Sequence, residues 1–404
     1  MKWICCQLGA REHYAIPRAL LSQGLLGFLL TDAWISPSSL LAKISAAGLA
    51  DRFHPELSDA RVIAFNSSVI SFEMLARARR LAEWQRIIAR NQWFQRKVVG
   101  AFNSQLSTLS SQPILLSYSY AALEPFRFAK LHGCKTLLLQ IDPGPEEERI
   151  VAEEVARVPV LAGEWQAAPT AYWASWRQEC ELADCIIANS EWSRDGLMRS
   201  GIPSKKLTLI PLAYEASEVG DRKRQVRSYP ARFTRDRPMR VLFLGQVNLR
   251  KGVSRLLQAA QALRDEPVEF WMVGPVQIAN AETAADNARV KWFGPVTRKE
   301  RAEKYKAADV FILPTLSDGF AITQLEAQAY GLPVISSKCC GGVIENGRNG
   351  IILEDPSAEC IAAAICDCVA DPNRLRTLAA ASHVQNEFTT GMLGQRLQNL
   401  GSKV

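Results

Sequence analysis

Several things are missing from this chain, and each absence removes a class of explanation. No Cys-x-x-Cys pair occurs among its ten cysteines. Cys5 and Cys6 are adjacent, as are Cys339 and Cys340, and Cys366 and Cys368 lie two apart. None of these spacings suits a zinc knuckle, and a disulfide scaffold is not expected at 404 residues. Buried thiols in a reducing compartment are the expectation. No apolar stretch reaches the roughly 18 residues needed to span a bilayer. No Asp-x-Asp occurs, and carboxylates do not cluster in the manner of a metal site, so no metal is expected. No Gly-x-Gly-x-x-Gly follows a candidate strand, which argues against a dinucleotide-binding oxidoreductase. A strong charge of one sign is lacking too. The net charge of +7 favours anionic partners without naming one, and no nucleic acid is expected.

The opening "MKWICCQLGA" has a short apolar part, and "REHY" follows at once. It reads as a first buried strand rather than an export signal, which predicts a cytoplasmic protein.

What is present is alternation. Seven short β-branched or leucine-rich runs stand in the first half: 2–8, 25–31, 61–65, 113–119, 134–142, 185–190 and 207–212. Six stand in the second: 240–247, 268–274, 290–296, 310–316, 333–337 and 350–354. Helical patterns separate them. Near-continuous apolar strands alternating with helices predict α/β architecture with parallel sheets covered on both faces. The polar, basic stretch 214–238 reads as a linker between a domain at 1–213 and one at 239–384. The segment 385–404 is a candidate to cross back to the first domain. Two doubly wound, Rossmann-like domains facing each other make a cleft, with ligands beyond the carboxyl ends of the strands.

The second half carries the clearest constellation. In "FLGQVNLRKGVSRLL" a strand ends at Gly245, a loop carries Arg250 and Lys251, and Gly252 opens a helix. Adjacent cations at a helix start suit a diphosphate; a solvated basic loop is the competing reading. In "SDGFAITQLEAQAYGLPVI" a turn holds Asp318 and Gly319, and a helix holds Glu326 and ends at Gly331. Gly319 allows close approach of a ligand, and the amides near Gly319, Phe320 and Ala321 are expected to point at it. Asp318 and Glu326 could accept hydrogen bonds from one polyhydroxylated ligand. The competing reading makes Asp318 a helix cap and Glu326 a surface residue.

Together these segments, over roughly 240–370, resemble the retaining nucleotide-sugar glycosyltransferases of family 4, the glycosyl transferases group 1. The frame "DGFAITQLEAQAYGLPVI" matches that family's Glu, seven residues, Glu pattern, with Asp in first place. "NSEWSRDGLMRSGIPSKKLTLIPL", 189–212, resembles the end of the family's N-terminal domain. The resemblance implies the GT-B fold and a nucleotide diphosphate sugar as co-substrate, with no cofactor. It implies that Glu326 grips the ribose and Asp318 faces the donor sugar. The amides after Gly319 hold the diphosphate, and Lys251 and Arg250 stabilise it as it leaves. It implies transfer of a hexose from a UDP or GDP type donor, without metal, to a hydroxyl of a glycan or lipid-linked saccharide in surface polysaccharide synthesis. Gln246 stands where many members have Arg. These departures keep a second reading open: an inactive GT-B protein that binds a glycan or a partner.

The first half says less. In the loop "LGAREHYAIP" Gly9, Arg11 and His13 are candidates for the acceptor side, and the family's second glycine is missing. In "LLLQIDPGP" Gln140 stands where members have a His, and Asp142 follows. The stretch 77–102 reads as one basic helix with Arg79, Arg86, Arg90 and Lys97 along one side and Leu81, Trp84, Ile88 and Val99 opposite. It is either an ordinary core-packed helix or a peripheral contact with an anionic membrane, which would place the enzyme at the inner membrane face.

Overall fold

The computed structural model describes residues 2–36, 52–105, 112–215, 227–281 and 289–404. Every strand candidate holds a strand. The first sheet contains β1 (Trp3–Gln7), β2 (Leu26–Thr31), β3 (Val62–Ala64), β4 (Ile114–Tyr118), β5 (Lys135–Gln140), β6 (Cys185–Ala188) and β7 (Leu207–Leu209). Its order is β3-β2-β1-β4-β5-β6-β7. The second contains β8 (Met239–Leu244), β9 (Val268–Val273), β10 (Val290–Gly294), β11 (Val310–Leu313), β12 (Val334–Ser337) and β13 (Gly350–Leu353), in the order β10-β9-β8-β11-β12-β13. All pairings are parallel. Each sheet changes direction once, between β1 and β4 and between β8 and β11, and such switch points are where ligands enter open α/β sheets.

The strand period of two explains the adjacent cysteines. All five residues of β1 are buried. Ile4 and Cys6 join the core with Phe94, Val98 and Phe102 on one face. Trp3 and Cys5 join Leu393, Leu397 and Leu400 on the other. Burial pushes both thiols well above the usual cysteine range. The helix Thr390–Gly401 thus covers the first sheet, packing on the helix Ala15–Ser22. Residues 227–233 pack instead on the second domain. The Arg227 guanidinium donates to the carbonyls of Ala308 and Tyr330, and Tyr229 and Phe233 enter the second core.

The basic stretch 77–102 is not one helix. Helix Asn66–Ala78 ends, Arg80 takes a left-handed φ of 50°, and helix Glu83–Gln105 begins anew. Its buried side is Trp93, Phe94, Val98 and Phe102 rather than the stripe through Leu81 and Ile88. Arg86 pairs with Glu73, and Arg90 with Asp32 at 2.9 Å, so the arginine row is partly bound to the protein itself.

Candidate active site

At the second switch point the loop after β8 is held against the end of β11. The Asn248 side chain accepts from the Lys251 amide at 3.2 Å and closes a short turn, Leu249–Lys251. Gly252 follows with φ 71°, and a Cβ there would lie 1.9 Å from the Pro314 carbonyl oxygen, so only glycine fits. The Arg250 carbonyl accepts from Leu316 N at 2.9 Å and Thr315 Oγ1 at 3.1 Å. This places two cations over the 317–321 loop. Arg250 Nη1 donates to the Ser317 carbonyl at 3.1 Å and lies 3.3 Å from Asp318 Oδ2. The Lys251 ammonium contacts the same oxygen. Lys251 and Asp318 are each 9% exposed. Burial and the neighbouring Arg250 push the Lys251 ammonium down from the usual lysine value, while the Glu147 carboxylate works the other way.

The other Asp318 oxygen, Oδ1, accepts from Phe320 N at 3.2 Å and Ala321 N at 3.0 Å. Two of the three amides expected to face a ligand are therefore engaged by the loop's own carboxylate; Asp318 closes the turn ahead of the helix rather than capping it, since the N-cap is Ile322 without a side-chain cap. Ala321 is left-handed, φ 61°, and the helix that holds Glu326 begins after it, as Thr323–Ala329. The Phe320 ring packs with Leu325, Val343 and Phe388. Gly319 has a different purpose from the expected one. A Cβ there would meet the Ile141 carbonyl oxygen at 1.9 Å, so the close approach is by the first domain's backbone. The Gly319 carbonyl accepts from the Ser190 and Ser193 hydroxyls of that domain. Gly245 ends β8 with its carbonyl against Gly274.

Glu326 is 5% exposed, which removes the surface reading. It accepts from the Tyr305 hydroxyl at 2.9 Å and lies 3.6 Å from Arg301. His13 and Tyr214 line the same small cavity as Glu326. The first-domain loop thus comes to the second-domain helix. That loop is strained: Glu12, His13 and Tyr14 are consecutively left-handed, with φ of 46°, 51° and 61°, a conformation costing roughly 1–2 kcal/mol per residue. Tyr118 holds it from β4, its hydroxyl donating to Glu12 at 2.6 Å. Arg11 lies over the Tyr118 ring at 5.6 Å, and the Gly9 amide donates to Asp32 at 2.9 Å.

Gln140 is fully buried and is not presented to the cleft. Its Nε2 donates to Tyr120 Oη at 3.2 Å and Asp142 Oδ1 at 3.0 Å, and its Oε1 accepts from Trp176 Nε1 at 3.0 Å. It fixes Asp142, which also accepts from the Gly144 amide at 2.9 Å. Sequence reasoning missed Glu147. This first-domain carboxylate accepts from Ser317 Oγ at 3.0 Å and lies 3.6 Å from Arg250. Burial pushes its carboxyl up to about 7 against the pull of Arg250. In "PGPEEERI" three glutamates open a helix, the ordinary pattern at a positive helix end, and only the placement just after β5 hints at the cleft. Among the described residues no group of three His, Cys, Asp or Glu side chains could hold a metal ion.

Residues 238–371 match the family described as glycosyl transferases group 1. A D-inositol 3-phosphate glycosyltransferase of Xylanimonas cellulosilytica is 32% identical over 168 residues, 38% of this chain and 39% of that protein. An uncharacterized 41.2 kDa protein in the cps region of Klebsiella pneumoniae is 24% identical over 174 residues, 42% and 48% of the two chains. The match thus spans less than half the length of these relatives. Among solved structures, sucrose-phosphate synthase from Thermosynechococcus elongatus aligns at a TM-score of 0.67 and 18% identity, covering 100% of this chain and 99% of that one. HepE of Anabaena in complex with UDP aligns at 0.61 and 14%, covering 100% of both. The chain has the two-domain GT-B fold, and the stretch that matches the group 1 glycosyltransferases lies within its second domain.

Proposed function

We propose that this protein is a retaining, metal-independent glycosyltransferase that moves a hexose from a nucleotide diphosphate sugar to a hydroxyl of a glycan or lipid-linked saccharide. The reading rests above all on the meeting of Arg250, Lys251 and Asp318 at the β8/β11 switch point, within the matched stretch. A buried lysine beside a half-buried arginine is the arrangement that stabilises negative charge as a diphosphate departs. The leaving group takes Lys251 and Arg250 from Asp318 and Glu147, and Asp318 turns to the donor sugar. Glu326, buried yet on a cavity, accepts from the ribose hydroxyls. His13 on that cavity brings the first domain to the donor.

A peripheral membrane contact belongs to the same proposal, on a different element from the one read in the sequence. Helix Asn66–Ala78 exposes Ile70, Met74 and Leu75, followed by exposed Arg77, Arg79 and Arg80. Apolar side chains beside arginines suit an anionic bilayer surface. Among the described residues no helix is long and apolar enough to cross a membrane.

The second reading, a non-catalytic binding protein, is favoured by one observation: both cations are already neutralised within the protein, and exposed Gln246 adds none. A thermal-shift panel of UDP, GDP, ADP and dTDP and their sugars, in EDTA, separates the two. A ligand of the native state raises its melting point. The transferase reading predicts a shift with one nucleotide family, abolished in Glu326→Ala. No shift with any of them supports the non-catalytic reading.

A further inference from the structure

A second cavity lies between the domains and shares no lining residue with the one at Glu326. It encloses about 540 Å³, within the range of roughly 300–1,000 Å³ common for small-molecule sites. We infer that this cavity is the acceptor site and that it takes the end of a neutral oligosaccharide. The inference rests on the transferase reading above.

Its walls are aromatic. Trp84 and Tyr172 meet edge to face at 4.9 Å, and Tyr172 stacks on Tyr120 at 4.9 Å and 20°. Trp173 stands edge-on to Tyr172 at 5.2 Å, and Trp165 on the facing loop is 37% exposed. Two indole N–H groups are already engaged: Trp84 Nε1 donates to the Gln166 carbonyl at 3.0 Å, and Trp173 Nε1 to Glu148 at 2.9 Å. The rings are therefore fixed in orientation and offer apolar faces. Sugar rings present C–H faces that suit such walls and hydroxyl rims that suit carboxylates and amides.

The charge selects among ligands. Glu83, Asp142, Glu147, Glu148 and Glu164 line the cavity, against the single cation Arg250. An acidic lining repels a nucleotide diphosphate or a lipid phosphate and tolerates a neutral saccharide. Position supplies the link to transfer. Arg250 forms part of this wall and also lies 3.3 Å from Asp318, so a saccharide held here ends beside the donor centre.

The test is calorimetric titration of the full chain with maltotetraose, cellotetraose, laminaritetraose and mannotetraose, and separately with UDP and GDP. One tetrasaccharide should bind saturably and more tightly than its monosaccharide. Trp165→Ala should weaken it at least tenfold and leave nucleotide affinity unchanged, while Trp165→Phe keeps most of it. The inference is overturned if no tetrasaccharide binds, if Trp165→Ala has no effect on binding, or if it weakens the nucleotide equally. Nucleotide binding without saccharide binding defeats this inference alone. Saccharide binding without nucleotide binding leaves a saccharide site standing and defeats the transfer reading.

Discussion

The two sheets of this protein have the same kind of switch point and fill it differently. Between β8 and β11 the chain places two cations around one buried carboxylate, all from loops 67 or 68 residues apart. Between β1 and β4 it places a strained left-handed turn, pinned by the Tyr118 hydroxyl on Glu12. Beyond it lies a network in which Gln140 ties Asp142 to Tyr120 and Trp176. The second domain offers charge to a ligand, while the first offers fixed shape, aromatic faces and carboxylates. Topology alone therefore says where a ligand enters but not what it is.

The comparison can be broken or sharpened by substitution. The largest effect belongs where the domains touch. Gly319→Ala drives a methyl group into the Ile141 carbonyl and should destabilise by roughly 4 kcal/mol in urea unfolding. Gly342→Ala, with nothing within 4 Å of its Cβ position, should stay within about 0.5 kcal/mol. Next comes Leu397→Ala, which empties part of the first core and should cost about 3 kcal/mol. Hydrogen exchange should speed first in β1 and the helix Ala15–Ser22, leaving β8 and β11 protected.

Glu147 tests the join electrostatically. Its folded pKa is raised, to about 7, so between the unfolded value and that point the folded state keeps a proton that the unfolded state has released. The stabilising contribution is full below the unfolded pKa and is lost as pH rises through about 7. Urea unfolding at pH 5 and pH 8 should show wild type losing on the order of 2–3 kcal/mol more than Glu147→Gln. An equal loss in both proteins would remove Glu147 from the account. Apart from the Gly342→Ala control, the smallest effect is Tyr305→Phe, which takes one hydrogen bond from buried Glu326 and should cost about 1.5 kcal/mol.

The strands were legible because parallel strands buried on both faces read as continuous apolar runs, with glycines such as Gly245 and Gly274 at their ends. The second-domain constellation was legible because its members sit in two short segments with a long framed spacing. Its geometry was not. Nothing local shows that Asp318 turns back on its own amides, or that Gly319 makes room for Ile141. Glu147 meets Ser317 across 170 residues, and Gln140 meets Trp176 across 36, so neither leaves a local pattern. The break at Arg80 was hidden for the opposite reason. "RARRLAEW" holds good helix formers and no glycine or proline, and tertiary packing of two separate apolar faces overrides that propensity.

The central claim is that Lys251, now against Asp318, is the partner of a nucleotide's diphosphate. The direct measurement is calorimetric titration of UDP and GDP, with uridine and guanosine as controls, into wild type and Lys251→Ala in EDTA. The account predicts that one diphosphate binds wild type and loses at least tenfold in affinity in the variant, while its nucleoside is affected little. Equal diphosphate affinity in the two proteins would contradict it.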